Sequence, residues 1–308
     1  MFRYIVRRLL QGVLTFFGAT FIVYALMFAN QDDPIQALAG EKPIPENVRQ
    51  ALTERYHLDE PFIVQYAYYM RGLLTLDFGI SLTNRKISDM MEQAWPVTVR
   101  LAIMAIVFAV IISVTSGIIS GIRRGGPFDT TTLVITLILL SLPIVVLAPL
   151  AQLIFGVQLG WFPTTAGAEP SFYKLLLPAF VLATLVIATE IRVTRASVAE
   201  NLRSDYVRTA RAKGLSKRRV IGVHVLRNSL IPVITLIGLD LGNLMAGAIV
   251  TERVFNIPGV GFNLWRGIRT EDGPLVVGFV SILIIVFVLV NLIVDLLYAV
   301  LDPRIRYE

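Results

Sequence analysis

The sequence LAIMAIVFAVIISVTSGIISGI, residues Leu101–Ile122, contains no charged side chain. A helix rises about 1.5 Å per residue, and the hydrocarbon core of a bilayer is about 30 Å thick. A stretch of this length and composition is therefore long enough to cross a membrane as a single helix. We predict a transmembrane helix here, and the rest of the sequence is considered outward from it.

The whole chain has the composition of a membrane protein. Of its 308 residues, 55% are hydrophobic and 16% are charged, whereas soluble domains contain about 25% charged residues. A soluble domain of this size cannot bury so much apolar surface. The chain also has no cysteine, which excludes disulfides and thiolate metal sites. We expect an all-α integral membrane protein.

Five further apolar segments are long enough to span a bilayer. The segment Leu9–Ala29 follows a cluster of arginines and is longer than the apolar core of a signal peptide. We therefore predict a retained helix rather than a cleaved leader. The segment Thr130–Phe155 contains Pro143 and Pro149, which predict a bent helix. The sequence thus predicts six transmembrane helices in a single domain, residues 1–308. The five segments are Leu9–Ala29, Thr130–Phe155, Tyr173–Ala199, Leu230–Val250 and Leu275–Leu301.

Lysine and arginine concentrate at one side of these six predicted spans. The positive-inside rule assigns that side to the cytoplasm, so both termini are expected there. The net charge of +6 then reflects topology rather than nucleic-acid binding. The residues concerned are Arg3, Arg7, Arg8, Arg123, Arg124, Arg203, Arg208, Arg211, Lys213, Lys217, Arg218, Arg219, Arg227, Arg304 and Arg306.

The segment between the first two spans, residues 30–95, has the pattern of a folded external subdomain. Glu46–Tyr56 follows Pro45 and is typical of a short helix. A second helix is indicated by apolar residues at helical spacing, namely Phe62, Tyr66, Tyr69, Leu73 and Leu76.

The sequence lacks the common catalytic motifs. No G-x-x-x-x-G-K-[ST] phosphate-binding loop occurs, and neither H-E-x-x-H nor G-x-S-x-G is present. We therefore expect a transporter, a channel or a scaffold without enzymatic activity of its own.

The loop of residues 200–229, between the fourth and fifth predicted spans, contains the sequence DYVRTARAKGL, Asp205–Leu215. Asp205 can cap the start of a helix, and Gly214 is suited to the left-handed residue that ends one. Ala210 and Gly214 are four residues apart and predict a small-residue face that fits closely against a partner. Contact of this basic loop with anionic lipid is the alternative interpretation.

Residues Asp205–Leu215 resemble the cytoplasmic docking loop in the peptide branch of ABC importer permeases. The general permease pattern is Glu-Ala-Ala, three residues, then Gly; here only Ala210 and Gly214 match it. Further resemblance to this branch covers nearly the whole chain, with one departure at Leu76, where the branch commonly has glycine. The matching segments are Met1–Leu10, Leu58–Tyr66, Asp77–Leu82, Arg227–Pro232, Glu252–Gly261 and Asn291–Arg306.

This resemblance implies the fold of a type I ABC importer permease, and specifically the B-type permease subunit of dipeptide, oligopeptide and nickel importers. Such a subunit forms half of the translocation pathway in a bacterial or archaeal plasma membrane. Its implied partners are a homologous second permease, two ATPase subunits or domains that bind ATP and magnesium, and an external substrate-binding protein; the chain itself is expected to bind no cofactor. The implied docking residues are Asp205, Tyr206, Arg208, Thr209, Ala210, Arg211, Ala212, Lys213, Gly214 and Leu215.

The substrate and the transport class have alternatives. Di- and oligopeptides are the expected substrates, with nickel, glutathione or another small solute left open. A secondary transporter often shows inverted repeats, and a channel needs a filter segment. Neither feature is evident in the sequence, so these two classes are the weaker alternatives.

Ionisable residues within the predicted spans are candidates for the pathway or gate, because such groups are costly in a bilayer. Asp240, near Asn243, is expected either to face the pathway, where it can pair with a peptide ammonium group, or to form a helix–helix hydrogen bond. Glu190 and Arg192 lie two residues apart and cannot pair with each other on a helix. Asp295 is a candidate partner for them, and we expect a structural network near the gate that also includes Arg195.

Overall fold

The computed structural model describes residues 2–28, 45–57 and 59–301 of the chain. These residues are almost entirely helical, and their only extended pairing is a single bridge between Ile80 and Lys86. The all-α class predicted from composition is confirmed. The expectations for residues 30–44, Leu58 and residues 302–308, including Arg304 and Arg306, lie outside the described residues.

The helices of the described residues are numbered in chain order. Short π-helical turns, Gln152–Gln158 and Val220–Val225, follow α6 and α9. The helices are α1 Phe2–Phe28, α2 Glu46–Tyr56, α3 Phe62–Leu74, α4 Ile87–Ile122, α5 Pro127–Ser141, α6 Ile144–Ala151, α7 Phe172–Asn201, α8 Asp205–Ala212, α9 Lys217–Arg219, α10 Leu226–Ser229, α11 Ile231–Val254, α12 Val260–Arg269 and α13 Gly273–Leu301.

Among the described residues, four helices are long and apolar enough to cross a membrane alone, namely α1, α4, α7 and α13. Two bent helix pairs bring the number to six when each pair is one span, in agreement with the predicted six. The pair formed by α5 and Ile144–Gln158 is bent by 109°, far more than a gentle proline bend. The reason lies at Pro143: proline disfavours helical backbone at the preceding residue, and Leu142 is extended with ψ 116°.

The chain divides into two compact units. The first contains Met1–Thr98 and Pro258–Glu308. Within it α13 packs against α1 and α12, and α3 packs against α1 and α2. An aromatic cluster fastens α3 to α1: the rings of Tyr24 and Tyr69 stack with centroids 5.0 Å apart, and the hydroxyl groups of Thr20 and Tyr66 are hydrogen-bonded at 3.0 Å. The helix predicted from Phe62 to Leu76 is present as Phe62–Leu74, so Leu76 lies beyond its end and not on its apolar face.

Asp272 anchors the segment between α3 and α4 to the start of α13. Its carboxylate is 2% exposed and accepts hydrogen bonds from the Ser81 hydroxyl, from the backbone N–H of Leu82 at 3.1 Å and from that of Leu275 at 3.1 Å. Three donors offset much of the cost of burying the charge. This segment is therefore held by specific bonds in addition to apolar contacts.

Leu76, just past the C-terminal end of α3, has a left-handed backbone conformation. The N–H of Asp77 donates to the carbonyl of Gly72 at 2.9 Å, and the N–H of Leu76 donates to that of Leu73 at 3.2 Å. These two bonds form a Schellman cap, which requires a left-handed residue just past the helix. Leu76 adopts that conformation with φ 60°, although it is not glycine. Asp77 follows directly, and its carboxylate accepts a hydrogen bond from the N–H of Gly79 at 3.1 Å.

The second unit contains Val99–Ile257, and α7 is its most central helix. α7 packs against α5, α6, α10 and most extensively against α11. It also approaches α4 closely: a Cβ on Gly117 would lie 2.5 Å from Cβ of Thr194, and one on Gly121 would lie 2.8 Å from Cβ of Val198. Glycines four residues apart share a helix face, so their missing side chains let α4 and α7 approach closely.

Candidate functional site

The basic segment predicted as a docking element forms helix α8, Asp205–Ala212. The glycine at its end was predicted correctly: Gly214 is left-handed, with φ 76°. The N–H of Leu215 donates to the carbonyl of Ala210 at 3.3 Å, and the N–H of Gly214 donates to that of Arg211 at 3.0 Å. The helix thus ends in a Schellman cap, the same motif that ends α3.

The start of α8 differs from the prediction. Asp205 is the first helical residue, and Ser204 occupies the capping position without a side-chain capping bond. The carbonyl of Ser204 accepts the N–H groups of Val207 at 3.1 Å and Arg208 at 3.2 Å. Asp205 instead places an acidic group in the first turn, where it favours the helix dipole, and forms an exposed 3.4 Å ion pair with Arg208.

The structure contradicts the predicted small-residue face. Ala210 is 5% exposed and lies in an apolar cluster with Val198 of α7, Val207 of α8, and Val220 and Val225 of the following turn. Because Ala210 faces the chain's own core, it cannot form a shared docking face with the exposed Gly214. Gly214 lies beyond the end of α8, and only the packing shows that Ala210 points inward.

The face of α8 available to a partner is polar and basic. Its exposed residues, together with those of the connection to α9, are Asp205, Tyr206, Arg208, Thr209, Arg211, Ala212, Lys213 and Gly214; Leu215 is half-buried. The tyrosine hydroxyl is hydrogen-bonded to the Asn201 side chain at the end of α7. The exposed face is thus carried on a helix that is fixed to α7 by both apolar and polar contacts.

Arg195 of α7 has a partner that the sequence analysis missed. Asp129, near the start of α5, is 2% exposed and receives two hydrogen bonds from the Arg195 guanidinium, one of them 2.7 Å long from Nη2 to Oδ2. The N–H of Gly125 donates to the same carboxylate at 2.8 Å. A paired geometry of this kind binds a carboxylate strongly and directionally. The available signal in the sequence was that Asp129 lies in the first turn of a helix that begins at Pro127.

Glu190 lies deeper along α7 and is fully buried, with 0% exposure. The Ser113 hydroxyl of α4 donates to its Oε2 at 2.7 Å. The carboxyl group of Asp240, on α11 and 7% exposed, lies near that of Glu190. The structure therefore brings together two acids that the sequence analysis singled out separately, at the contact between α7 and α11.

Of the other predicted pathway residues, the structure describes the side chain of Arg192 alone. Arg192 is exposed. Asn243 and Asp295 lie on α11 and α13, and their side chains are outside the described part of the structure. The proposed roles of all five residues in the pathway or gate stay predictions.

Comparisons with known proteins agree with the resemblance seen in the sequence. The family model described as "binding-protein-dependent transport system inner membrane component" matches residues 113–307, and the model of the N-terminal part of such components matches residues 1–102. Together they account for nearly all of the chain.

Full-length relatives have transport functions. The chain is 38% identical to the dipeptide transport system permease protein DppB of Alkalihalophilus pseudofirmus and 36% identical to the di/tripeptide transport system permease protein DppB of Pseudomonas aeruginosa. It is 37% identical to the glutathione transport system permease protein GsiC of Escherichia coli. Each alignment covers 100% of both chains. The chain therefore belongs to the inner membrane components of binding-protein-dependent transport systems, the multi-pass permeases of ABC importers.

Proposed function

We propose that this chain forms half of the translocation pathway for di- and oligopeptides in an ABC importer. The observation that carries the proposal is the full-length similarity to dipeptide and di/tripeptide permeases. The helical architecture, with its four long spans and two bent pairs, is consistent with it. In this role the chain conducts substrate and catalyses no reaction.

The proposed complex contains a homologous second permease, two ATPase subunits or domains and an external substrate-binding protein. ATP and magnesium bind to the ATPases. The absence of a phosphate-binding loop motif from this sequence supports placing ATP hydrolysis on other subunits.

α8 is the proposed contact with an ATPase. Its exposed side offers Arg208, Thr209, Arg211 and Ala212 to a groove on that subunit. Its buried side packs on Val198 of α7, and partly buried Ile118 and Ile122 of α4 pack against the same cluster. A displacement of α8 is therefore transmitted directly to two long helices, as needed for switching a bundle between two arrangements.

Cysteine cross-linking tests this contact, because the natural chain contains no cysteine. Thr209→Cys introduces a thiol on the exposed side of α8, and Val207→Cys introduces one on the buried side as the matched control. We expect a reagent with one thiol-reactive and one photoreactive end to link the first variant, but not the second, to an ATPase in the assembled transporter. Failure of Thr209→Cys to cross-link, with the complex intact, contradicts the docking role and favours contact with lipid.

A charge reversal tests the function of the same surface. Arg211→Glu is expected to uncouple ATP hydrolysis from uptake in proteoliposomes while leaving membrane insertion unchanged. Arg203→Glu, also exposed but preceding α8, is the control and is expected to retain coupling. Equal uptake by the two variants contradicts a specific role for α8.

The cytoplasmic location of α8 and of both termini is part of the proposal. It is supported by the lysine and arginine distribution. Lys213→Cys is expected to react with a membrane-impermeant maleimide only in inverted vesicles, and Glu169→Cys, in the loop before α7, only in right-side-out cells. Labelling of position 213 from outside contradicts the orientation.

A second candidate substrate is glutathione, because the chain is 37% identical to a glutathione transport permease. Uptake of labelled dipeptides, longer peptides and glutathione by the reconstituted transporter with its own binding protein distinguishes these candidates. We expect saturable, ATP-dependent uptake of a dipeptide. Uptake of glutathione alone contradicts the preferred substrate, and uptake without ATP contradicts the transporter class.

A further inference from the structure

A cavity of about 440 Å³ lies in the first unit and is lined by residues from the C-terminal end of α2, one face of α3 and the start of α13. Small-molecule sites occupy roughly 300–1,000 Å³, whereas a surface that binds another protein is broad and buries about 800 Å² per partner. The size of this cavity therefore favours a small ligand. Its lining includes His57, Tyr68, Tyr69, Arg71, Thr75 and Asp77.

The aromatic side chains of this cavity are fixed by contacts with neighbouring helices. The rings of His57 and Tyr68 stack with centroids 3.8 Å apart, which joins the end of α2 to α3. Tyr69 stacks on Tyr24 of α1, and its hydroxyl is hydrogen-bonded to Ser281 of α13. Because these rings are already held in place, little side-chain freedom is lost when a ligand packs against them.

Two groups of opposite charge line the same cavity. The guanidinium of Arg71 forms no ion pair and no hydrogen bond with any residue that the structure describes. The carboxylate of Asp77 accepts the N–H of Gly79 at 3.1 Å. A guanidinium has five N–H donors in a planar arrangement that matches a carboxylate. A ligand with a carboxylate therefore fits beside Arg71, and an ammonium group on the same ligand complements the charge of Asp77.

We propose that this cavity is a binding site for a small carboxylate with an aromatic or apolar group. The carboxylate binds Arg71, and the apolar group packs against His57 and Tyr68. The identification of the ligand as the C-terminal residue of a short peptide rests on the proposed function. Because residues 30–95 are expected to be external, the site holds the peptide on the side from which it is imported.

Cysteine protection tests the proposal, because the natural chain contains no cysteine. Thr75→Cys places a thiol in the lining of the cavity, and Thr83→Cys, exposed in the following turn and not in the lining, is the matched control. Both are labelled with a fluorescent maleimide in the assembled transporter without its binding protein. The probe is the dipeptide alanyl-phenylalanine. At about ten times its dissociation constant, we expect it to slow labelling of position 75 about tenfold and to leave that of position 83 unchanged.

The C-terminal amide of the same dipeptide tests the role of Arg71. The amide has no negative charge, so we expect it to bind about tenfold more weakly than the free acid. Arg71→Gln, introduced beside Thr75→Cys, is expected to weaken binding of the free acid by the same factor and to leave that of the amide unchanged. Arg85→Gln, an exposed arginine hydrogen-bonded to Gln93, is the control and is expected to keep the difference between acid and amide.

Equal labelling of position 75 with and without the dipeptide overturns the proposal. A thiol at position 75 that is not labelled at all also overturns it, because the cavity is then closed to small molecules. Equal protection by the acid and the amide, or an equal loss of both in Arg71→Gln, shows that Arg71 does not bind the carboxylate and overturns the assignment.

These outcomes are distinct from those that test the peptide-transport role. A transporter that imports dipeptides but shows no protection of position 75 contradicts only the cavity site. Protection by a dipeptide that the transporter does not import contradicts only the proposed substrate.

Discussion

Two buried acids, Asp129 of α5 and Glu190 of α7, are stabilised in different ways. Asp129 is held by the guanidinium of Arg195 and by the backbone of Gly125. Glu190 accepts the Ser113 hydroxyl and lies near a second acid, Asp240. The first site places a cation beside the anion, whereas the second places two acids near each other. The difference teaches that a carboxyl group in an apolar bundle does not by itself reveal its charge; its partner decides that.

The largest expected effect comes from breaking the ion pair. Asp129→Asn leaves the guanidinium of Arg195, which is 18% exposed, without its carboxylate. Loss of one member of a buried pair costs about 3 kcal/mol, so we expect a clearly lower melting temperature of the purified transporter. Asp205→Asn removes the exposed pair with Arg208 and is the control, for which no measurable change is expected. Equal melting temperatures of the two variants refute the contrast between buried and exposed pairs.

The next effect concerns the close approach of α4 and α7, which brings Ser113 to Glu190. Gly117→Val places methyl groups against Thr194 and the carbonyl of Ile191, 2.5 and 3.0 Å from the new Cβ. Overpacking of this kind costs about 2 kcal/mol, and it moves Ser113 of α4 away from Glu190. Thermal unfolding in detergent measures the loss. Gly18→Val on α1, where a Cβ meets nothing within 4 Å, is the control; a similar loss there argues against a specific α4–α7 contact.

A smaller effect is expected at the C-terminal ends of α8 and α3. These two helix caps provide a second comparison, between two residues in the same backbone conformation. The caps of α8 and α3 have the same hydrogen bonds, but one has Gly214 and the other Leu76 in the left-handed position. Gly214→Ala is expected to destabilise the protein by about 1 kcal/mol, and Leu76→Gly to stabilise it by a similar or smaller amount, because Leu76 is 71% exposed and buries little. Melting temperatures that shift in the same direction contradict this account.

The smallest expected effect is the loss of stability in Glu190→Gln. Its comparison with Asp129→Asn tests the contrast between the two buried acids directly. The amide resembles the protonated acid in shape and can donate to Asp240, so we expect less than about 0.5 kcal/mol of lost stability despite complete burial. Melting of Glu190→Gln beside Asp129→Asn measures the difference directly. A loss as large as that of Asp129→Asn shows that Glu190 is ionised.

Much of the fold follows from local sequence alone. The length of each apolar segment predicted the membrane spans, and Gly214 predicted the end of α8, because span length and left-handed backbone depend on residues close together in the chain. The break at Pro143 was predicted only as a bend. Its angle of 109° depends on how α5 and α6 pack on α7, which proline by itself does not determine.

The partners of the buried charged groups could not be predicted from local sequence. Asp129 was not considered as a partner for Arg195, and Asp240 was not matched with Glu190, because each pair joins residues on separate helices. Likewise, Ala210 and Gly214 were predicted to share one face of a helix, but α8 ends at Ala212 and Ala210 packs in the chain's own core.

The sequence by itself determined that the chain is a bundle of membrane helices with a basic helix between two of them, since hydrophobic length, charge distribution and cap residues act over a few turns. The tertiary structure alone decided which side of α8 is exposed and which acids meet an arginine or another acid. Those outcomes depend on the rotation and depth of whole helices, which are set by the close packing of side chains distant in sequence.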